Sequence, residues 1–471
     1  MAGSIELENK RVLVVGLGRT GVATALFCAA RGAAVTATES RTEAEIGEAV
    51  AKLREAGVTL ELGGHRQETF LQQDLIVPSP GVPADAQLLR AARGKGVTIW
   101  SEIELAYRFI HGQLIGITGS NGKTTTTSLI EHILKTAGLS TILAGNIGTP
   151  LISCVGRMTE STITVVELSS FQLELVDMFR PRISVLLNLT PDHLDRHRTM
   201  ESYGAAKARI FENQTEVDAA VLNADDPATV SYAPTLPRLY WFSRKQRAAQ
   251  GAFLRGEEIV FRHGGEEEVV LKQREIPLVG AHNLENVLAA VSATRLAGAD
   301  VPAIAKGVRS FAGVEHRLEF IAEISGVRYY NDSKATNVDA TRKALDAFPG
   351  RILVVLGGKD KGSDYTALQE PLREKAILAL LIGAAAEKIE EQIAGSVAIE
   401  RAGTLDRAVE IASQAARPGD VVLLSPACAS FDQFQNYEHR GRVFKHLVRQ
   451  LEEHGAGATA AKSAPTASGR S

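Results

Sequence analysis

A glycine-rich loop at residues 116–126 contains the residues needed to bind a nucleoside triphosphate. It reads Gly-Ile-Thr-Gly-Ser-Asn-Gly-Lys-Thr-Thr-Thr, follows an apolar strand predicted at 114–118 and opens a helix predicted at 122–137. In such a loop backbone N–H groups surround the phosphates, Lys123 supplies a point charge and Thr124 a hydroxyl ligand for magnesium. Ile117 stands where the usual P-loop has glycine. The predicted ATP-binding residues here are Gly119, Ser120, Asn121, Gly122, Lys123, Thr124 and Thr125.

A second loop, Gly16-Leu17-Gly18-Arg19-Thr20-Gly21, has the GxGxxG spacing and precedes a predicted helix. Alone it is typical of a dinucleotide site, with Glu39 at the end of the next strand accepting from a ribose. The diphosphate of a UDP group would fit the same backbone geometry, and a tight turn without a ligand is a third possibility. Two phosphate loops of different kinds favour a synthetase or a kinase over a simple dehydrogenase, because hydride transfer needs no triphosphate site.

Alternating strands and helices position both loops. The first part of the chain has strands predicted at 11–15, 34–38, 75–77 and 97–99, with helices at 20–31 and 84–93. The second part has strands predicted at 114–118, 162–168 and 183–187, an antiparallel segment at 252–271 and a helix at 283–297. The third part has a hairpin predicted at 318–330 and strands at 352–356, 379–382 and 421–424. This alternation predicts parallel sheets covered by helices.

The chain has 471 residues, which is too many for one hydrophobic core. We predict an α/β protein of three domains: an N-terminal Rossmann-like domain at 1–110, a central P-loop ATPase-like domain at 111–312 and a C-terminal Rossmann-like domain at 313–452. Residues 453–471 are mostly small or polar, and we predict that they form a disordered tail because they bury too little apolar surface.

The composition excludes several classes of protein. A net charge of -3 with 45% hydrophobic residues fits a globular protein and gives no basic surface for nucleic acid. No apolar run is long enough to span a membrane, and the acidic N-terminus leads us to expect no secretory signal. Cys28, Cys154 and Cys428 have no ligand spacing and suit a reducing compartment. We expect a cytoplasmic monomer acting on small molecules.

Blocks in a fixed order resemble the Mur ligases and the related folylpolyglutamate synthases. Besides the loop at 116–126, these blocks are 167–174 (ELSSFQLE), 188–195 (NLTPDHLD), 205–207 (AAK), 280–286 (GAHNLEN), 316–317 (HR), 331–337 (NDSKATN) and 425–434 (SPACASFDQF). The resemblance covers residues 8–452. It implies three domains that bind a UDP-sugar, ATP and an amino acid, and a reaction in which ATP converts a carboxylate into an acyl phosphate that an amine attacks. It assigns the first glycine loop to the UDP group.

Three of these blocks, SSFQ, NDSKATN and SPACAS, indicate the member of the family that adds D-glutamate to UDP-N-acetylmuramoyl-L-alanine and releases ADP and phosphate in peptidoglycan precursor synthesis. The resemblance implies four catalytic residues. Lys123 would contact the β and γ phosphates, Glu167 would bind magnesium together with Thr124, and His193 would bind a second magnesium. Lys207 would be carbamylated by carbon dioxide and so become an anionic metal ligand.

The remaining site residues fall into three sets. Asn283 and Asn286 are spaced i, i+3, so their amides suit an adenine edge, with N-capping by Asn283 as the alternative. By resemblance Arg317, Asp332 and Lys334 complete an ATP site clamped between the second and third domains. The implied UDP-sugar set is Arg19, Thr20, Glu39, Ser40, Arg41, Ser79, Gly81, Asn146 and Gln172. The implied D-glutamate set is Thr336, Lys361, Ser430, Phe431 and Tyr437.

Two positions in these sets leave alternatives open. Glu39 stands where the family commonly has Asp, and Lys359 offers a second cation beside Lys361. Three other functions are also considered: a ligase of the same superfamily that adds a different amino acid, an NAD-dependent oxidoreductase that uses the first loop, and a non-catalytic nucleotide-binding regulator.

Overall fold

The computed structural model describes residues 5–360 and 362–462, without the side chains of Asp195 and of residues 454–462. It divides into two compact units. The first holds the described residues up to Ile276 together with His282–Phe311, and the second holds Pro277–Ala281 and the described residues from Ala312 onward. Unit 1 contains two parallel sheets and a small antiparallel sheet, and unit 2 contains one six-stranded sheet.

The first sheet of unit 1 is parallel, with the order β3-β2-β1-β4-β5. Its strands are β1 (Arg11–Val15), β2 (Ala34–Glu39), β3 (Thr59–Leu62), β4 (Leu75–Pro78) and β5 (Thr98–Ile99). Its helices are α1 (Arg19–Ala29), α2 (Glu43–Ile46), α3 (Ala49–Glu55), α4 (Gln67–Leu71), α5 (Gln87–Gly94) and α6 (Glu102–Tyr107). The buried strand β1 pairs with β2 on one side and β4 on the other. The first glycine loop therefore leaves the middle of the sheet, between the ends of β2 and β4.

The second sheet of unit 1 is also parallel, with the order β11-β10-β9-β6-β8-β7. Its strands are β6 (Gln113–Thr118), β7 (Thr141–Gly145), β8 (Ile163–Glu167), β9 (Ile183–Leu186), β10 (Ala219–Asn223) and β11 (Arg238–Phe242). Its helices are α7 (Lys123–Thr136), α8 (Ser170–Leu173), α9 (Leu194–His197), α10 (Met200–Ala208) and α11 (Pro227–Val230). Ile117 of β6 lies opposite Glu167 and Val185. The phosphate loop thus leaves the sheet beside Glu167.

An antiparallel sheet interrupts the α/β pattern, as the sequence predicts. It contains β12 (Gly251–Arg255), β13 (Glu258–His263) and β14 (Glu266–Lys272). The helices α12 (Ala281–Leu296) and α13 (Val301–Ser310) follow. The predicted helix at 283–297 is thereby confirmed, although it begins two residues earlier.

Unit 2 has a six-stranded sheet with the order β15-β16-β20-β17-β18-β19. Its strands are β15 (Glu319–Ile324), β16 (Val327–Asn331), β17 (Ile352–Gly357), β18 (Ala376–Ile382), β19 (Ile399–Gly403) and β20 (Val421–Leu424). Its helices are α14 (Val338–Asp346), α15 (Gln369–Lys375), α16 (Ala386–Ile393), α17 (Leu405–Ala415) and α18 (Tyr437–Lys462). The strands β15 and β16 form the predicted antiparallel hairpin, and the other pairings are parallel.

The last helix runs past the boundary at 453 from which the sequence predicts a disordered tail. The residues from Glu452 to Lys462 include four alanines, which have the highest helix propensity, so the helix can continue beyond its last buried residues. Residues 463–471 of the predicted tail lie outside the described residues. Within the described chain, no helix combines the length and the apolar character needed to cross a membrane.

Candidate active site

Hydrogen bonds from the loop after β9 hold the phosphate loop. The N–H of Ser120 donates to the carbonyl of Asn188 at 2.9 Å, and the N–H of Asn121 donates to Asn188 Oδ1 at 2.8 Å. Lys123 Nζ donates to the carbonyls of Gly119 and Ser120 at 2.8 and 2.9 Å. The lysine therefore folds back over the loop, where a bound phosphate would lie at the start of α7.

Asn286 lies directly against this loop. Its Oδ1 accepts from Thr126 Oγ1 at 3.2 Å, and its Nδ2 donates to Asn283 Oδ1 at 3.0 Å. Asn286 thus joins α12 to the helix of the phosphate loop. Asn283 is the third residue of α12, which begins at Ala281, so the N-capping alternative for Asn283 is wrong. Contact of these amides with adenine stays a prediction.

Replacing Gly122 by alanine should disturb this packing. Gly122 has φ of +82°, and a Cβ there would lie 2.2 Å from Asn286 Oδ1. We expect Gly122→Ala to weaken ATP binding and to cost more than the roughly 1–2 kcal/mol of a left-handed L residue, since Asn286 must move as well. Nucleotide titration and urea unfolding would measure both effects.

The matched control is Gly138→Ala at the end of the same helix. Gly138 has φ of +78°, and no atom lies within 4 Å of a Cβ built there. The control should show the cost of the backbone alone and leave ATP affinity unchanged. Equal losses of stability in the two variants would contradict the proposed clash with Asn286.

Lys207 is buried under the phosphate loop, with a relative exposure of 1%. Its Nζ lies 2.9 Å from the carbonyl oxygen of Gly119 and 3.5 Å from Thr118 Oγ1. The ammonium group also lies over the ring of Tyr203, 4.7 Å from its centroid. The interpretation of Lys207 as a solvated helix lysine is therefore wrong, because α10 turns this residue toward the loop.

The surroundings of Lys207 favour its uncharged form. Burial lowers the pKa of Lys207 well below its usual value, and the charge of Lys123 lowers it further. Asp192 and Glu167 act in the opposite direction but do not reverse the shift. A neutral amine is the nucleophilic form of lysine, so this site suits reaction of Nζ with an electrophile such as carbon dioxide.

Glu167 ends β8 beside the loop and is 3% exposed. Its Oε1 accepts from Asn146 Nδ2 at 2.9 Å, whereas its buried Oε2 has no hydrogen-bond partner. A buried carboxylate oxygen without a partner is costly and is the kind of group that a cation satisfies. Together with the buried Thr124, it provides the hard oxygen ligands that magnesium prefers. These residues therefore fit a magnesium ion.

His193, the other predicted metal ligand, is in a different environment. It adopts a left-handed backbone with φ of +53°, and its side chain is 49% exposed. Its ring packs on Phe171, with centroids 4.9 Å apart, and its Nε2 lies 3.6 Å from Asp192. Within the described residues, no hydrogen bond or salt bridge joins His193 to Glu167 or Lys207.

Seven of the nine predicted UDP-sugar residues lie at the carboxyl edge of the first sheet. Arg19 and Thr20 begin α1. Glu39 is the last residue of β2, and Ser40 and Arg41 come directly after it. Ser79 and Gly81 follow β4. The glycine loop at 16–21 is tightly packed against Ser79 and against the start of α1. Ser79 Oγ donates to the carbonyl of Gly16 at 2.9 Å, and a Cβ on Gly21 would lie 1.8 Å from that carbonyl oxygen. The third glycine is therefore needed for close packing of α1.

Asn146 and Gln172, the other two residues of that set, belong to the second sheet. The side chain of Asn146 supports Glu167 as described above. Gln172 Oε1 accepts from the N–H and the hydroxyl of Ser169, in a capping box that starts α8. Both side chains make internal contacts, and their roles toward a UDP-sugar stay predictions.

Glu39 is engaged by the first glycine loop and by its own neighbours. Its carboxylate accepts from the N–H of Leu17 at 2.8 Å, from Ser40 Oγ at 3.0 Å and from Arg41 Nη2 at 2.9 Å. Burial opposes the charged form, but the hydrogen bonds from Arg41, Leu17 and Ser40 outweigh it and lower the pKa of Glu39 to about 2. The carboxylate therefore helps to hold the loop in shape.

Glu39 should make stability depend on acid pH. Because its pKa is lower in the folded state, its contribution is complete above the ordinary value of 4.5 and is lost as the pH falls toward 2. We expect Glu39→Gln to weaken this pH dependence of the free energy of unfolding between pH 4.5 and pH 2. Glu55→Gln, at an exposed position of α3, is the control. An unchanged pH profile in Glu39→Gln would contradict this role.

Unit 2 brings part of the predicted ATP set together. Asp332 Oδ2 accepts from Ser425 Oγ at 2.9 Å, and its Oδ1 accepts from the N–H of Leu318 at 3.2 Å. Burial raises the pKa of Asp332 to about 7, although Ser425 and the charge of Arg317 oppose the shift. Arg317 Nε is buried without a hydrogen-bond partner, so this guanidinium has donor capacity left for an anion.

Four of the five predicted amino-acid-binding residues lie on loops at the carboxyl ends of β16 and β20 and at the start of α18. Thr336 follows β16, and Ser430 and Phe431 follow β20. Ser430 is buried, whereas Phe431 is 64% exposed. The carbonyl of Tyr437 accepts from Ser333 Oγ at 2.8 Å. Lys361 lies outside the described residues.

Arg440 was not predicted from the sequence, yet it connects these loops. Its guanidinium is completely buried, and it donates to Ser333 Oγ at 3.0 Å, to the carbonyl of Ser333 at 2.9 Å and to the carbonyl of Cys428 at 3.2 Å. A signal was present in the sequence, because Arg440, Phe444 and Val448 recur every four residues on the buried face of α18.

Three family models match consecutive parts of the chain. A Mur ligase MurD-like N-terminal domain matches residues 10–101, a Mur ligase middle domain matches 117–294, and a Mur ligase glutamate ligase domain matches 316–428. Their order and extent agree with the sheets described above. The chain belongs to the Mur ligase family, whose members are ATP-dependent three-domain enzymes.

Two curated relatives are similar to the chain over nearly its whole length. The chain is 52% identical over 450 residues to a protein of Koribacter versatilis, covering 95% of this chain and 99% of the relative. It is 54% identical over 457 residues to a protein of Acidobacterium capsulatum, with coverages of 96% and 99%. Both relatives are named UDP-N-acetylmuramoylalanine--D-glutamate ligase.

Solved structures support the fold. A UDP-N-acetylmuramate-alanine ligase from Thermotoga maritima matches with a TM-score of 0.57 and 19% identity, covering 94% of this chain and 99% of that structure. A MurF ligase from the same organism, in complex with ADP, matches with a TM-score of 0.58 and 17% identity, with coverages of 96% and 97%. At these identities the likeness shows the fold alone.

Proposed function

We propose that this protein joins D-glutamate to UDP-N-acetylmuramoyl-L-alanine, using ATP to activate the carboxylate, in the synthesis of peptidoglycan precursors. The observation that carries the proposal is 52–54% identity with relatives of that name over nearly the whole of both chains. The oxidoreductase and regulator alternatives have no comparable support. We also propose that the protein is cytoplasmic, which suits its three free, buried cysteines, and that it is a monomer.

The phosphate-binding part of the reaction is assigned to the loop at 119–125. The substrate carboxylate and the γ-phosphate are both anionic, so fixed positive charge must let them approach. Lys123 is poised over the loop for this purpose. Asn283 and Asn286 would hold the adenine. Arg317, Asp332 and Lys334 are proposed as further ATP-binding residues.

The metal site is proposed at Glu167 and Thr124, with His193 and carbamylated Lys207 at a second magnesium. Bound magnesium would neutralise phosphate and carboxylate charge. The unpartnered Glu167 Oε2 and the buried Lys207, whose pKa is lowered by its burial, support these assignments. Asn146 would orient Glu167 by occupying its other oxygen.

The two organic substrates are assigned to the remaining sets. Arg19, Thr20, Ser40, Arg41, Ser79 and Gly81 would surround the UDP group, with Glu39 shaping the loop and Asn146 and Gln172 near the muramoyl end. Thr336, Lys361, Ser430, Phe431 and Tyr437 would bind D-glutamate, whose side-chain carboxylate needs a cation and hydroxyl donors. We retain the proposed domain boundaries at 110, 312 and 452.

The test is phosphate release from ATP and magnesium with UDP-N-acetylmuramoyl-L-alanine and one amino acid at a time. D-glutamate alone should drive release, together with formation of an amide product seen by mass spectrometry. L-glutamate, L-alanine and diaminopimelate are the comparison substrates. Turnover with one of these instead would keep the ligase chemistry but contradict the choice of D-glutamate.

A further inference from the structure

The turn after β17 has one acidic residue between two lysines, Lys359-Asp360-Lys361. A free carboxylate in an anion-binding turn would repel the substrate and attract the cations meant for it. Asp360 is paired from outside the turn. Its Oδ2 accepts from Lys388 Nζ of α16 at 2.8 Å, and the two side chains are 26% and 37% exposed. Lys388 therefore neutralises Asp360 from the side of α16.

Tyr365 holds the other oxygen of Asp360. The ring of Tyr365 is fully buried, and its hydroxyl donates to Asp360 Oδ1 at 2.8 Å. The N–H of Ser363 donates to the same oxygen at 3.1 Å. The Tyr365 hydroxyl also lies 2.9 Å from Cys428 Sγ, in the loop after β20. Both carboxylate oxygens of Asp360 therefore accept hydrogen bonds that stabilise the turn.

The position of this turn in the sheet is that of a ligand site. From β17 the chain moves outward through β18 and β19 and then returns to β20 on the other side of β17. The crevice between the carboxyl ends of β17 and β20 is therefore a topological switch point, where open α/β sheets bind ligands. The N–H of Lys359 donates across it to the carbonyl of Ala429 at 2.8 Å, next to Ser430.

We propose that Asp360 and Lys388 form a positioning pair for the acidic amino acid, in which Lys388 shields the Asp360 carboxylate and Asp360 fixes the turn that bears Lys359. The pair touches no reacting atom and acts through the turn. This inference rests on the proposed function, because it assumes that the crevice binds an amino acid with two carboxylates.

Steady-state kinetics of three variants would test the pair. Lys388→Met should raise the KM for D-glutamate by about 10-fold or more, because it leaves the negative charge of Asp360 unneutralised near an anionic substrate, and 10-fold corresponds to about 1.4 kcal/mol. Asp360→Asn should raise this KM less, by about 3-fold, because the charge is removed with the hydrogen bond to Lys388. The double variant should resemble Asp360→Asn, since no acid remains to be shielded.

The KM for ATP and the KM for UDP-N-acetylmuramoyl-L-alanine should change less than about twofold in all three variants. Asp364→Asn is the matched control, because Asp364 lies four residues further on and its carboxylate accepts only from Thr366 among the described hydrogen bonds. Independent, additive effects of the two substitutions would overturn the proposal. So would equal increases in the KM of every substrate.

A second measurement separates this inference from the proposed function. Hydrogen exchange at the amide of Ser363, which donates to Asp360, should accelerate in Asp360→Ala, which removes the accepting oxygen, and not in Asp364→Ala. If the wild-type protein does not turn over D-glutamate, the proposed function fails while the exchange experiment still tests the turn. Unchanged exchange at Ser363 would contradict the positioning role even in an active enzyme.

Discussion

Lys207→Ala is expected to retain ATP binding but to lose turnover by at least about 100-fold, the effect expected when a group that holds or orients a catalytic metal is removed. The side chain lies directly under the phosphate loop, 2.9 Å from the carbonyl of Gly119. Its burial favours the uncharged amine, which can react with carbon dioxide to give a carbamate and release a proton. The carbamate would convert a position that repels a cation into one that binds it.

A readout without turnover is available for this prediction. With 13C-labelled bicarbonate, the wild-type protein should show a carbamate carbon resonance that is absent from Lys207→Ala. Lys135→Ala is the control, because Lys135 lies on α7 with its side chain 60% exposed and should affect neither the resonance nor the rate. Full activity in Lys207→Ala would exclude the role, and lost activity without a resonance in the wild type would assign it to the unmodified amine.

Most of the central strands, which are buried on both faces, were predictable from the sequence, although the buried strand β10 was not identified. The central strands β1, β6, β17 and β20 are continuous apolar runs, and all four were predicted within one or two residues of their ends. The edge strands β3 and β19 were not identified. Their sequences, TLEL and IERAG, are partly exposed and have too few apolar residues to differ from loop. Pairing with a neighbouring strand makes them strands, and single-sequence patterns do not include that contribution.

The residues of the candidate site also fall into a group that the sequence predicts and a group that it does not. Residues whose backbone contacts phosphate, such as Gly119 and Gly122, are set by local spacing and were found from the sequence. Residues whose role depends on contacts with distant parts of the chain were not predicted from the sequence. The sequence does not distinguish Asp360 from a surface acid, whereas in the structure Tyr365 and Lys388 donate hydrogen bonds to its two carboxylate oxygens.

Lys207 shows the limit of spacing arguments most clearly. Its spacing alone indicates a solvated helix lysine, and only the family block around it suggested otherwise. The burial that lowers its pKa comes from packing of α10 against the loop after β6, which no local pattern encodes.

Arg440→Met is expected to lower the free energy of unfolding of unit 2 by about 3–5 kcal/mol. The substitution leaves Ser333 Oγ and the carbonyls of Ser333 and Cys428 without their buried donor, and each unsatisfied group costs about 1–3 kcal/mol, partly relieved by relaxation. Arg440→Lys should lie between the wild type and Arg440→Met, because one ammonium cannot reproduce the planar fork that reaches both loops. Arg442→Met, two residues away and exposed, should change stability by less than about 0.5 kcal/mol.

The two tryptophans allow the effect of Arg440 to be located. Trp100 and Trp241 both lie in unit 1, so tryptophan fluorescence follows that unit, whereas far-ultraviolet circular dichroism follows both. Urea unfolding of Arg440→Met should move the circular dichroism transition to lower urea, with the fluorescence transition shifting less. A circular dichroism transition unchanged from that of Arg442→Met would mean that the loops after β16 and β20 do not need this guanidinium. A buried guanidinium without a partner carboxylate is itself costly, so we would then expect Arg440 to be present because it binds an anionic substrate.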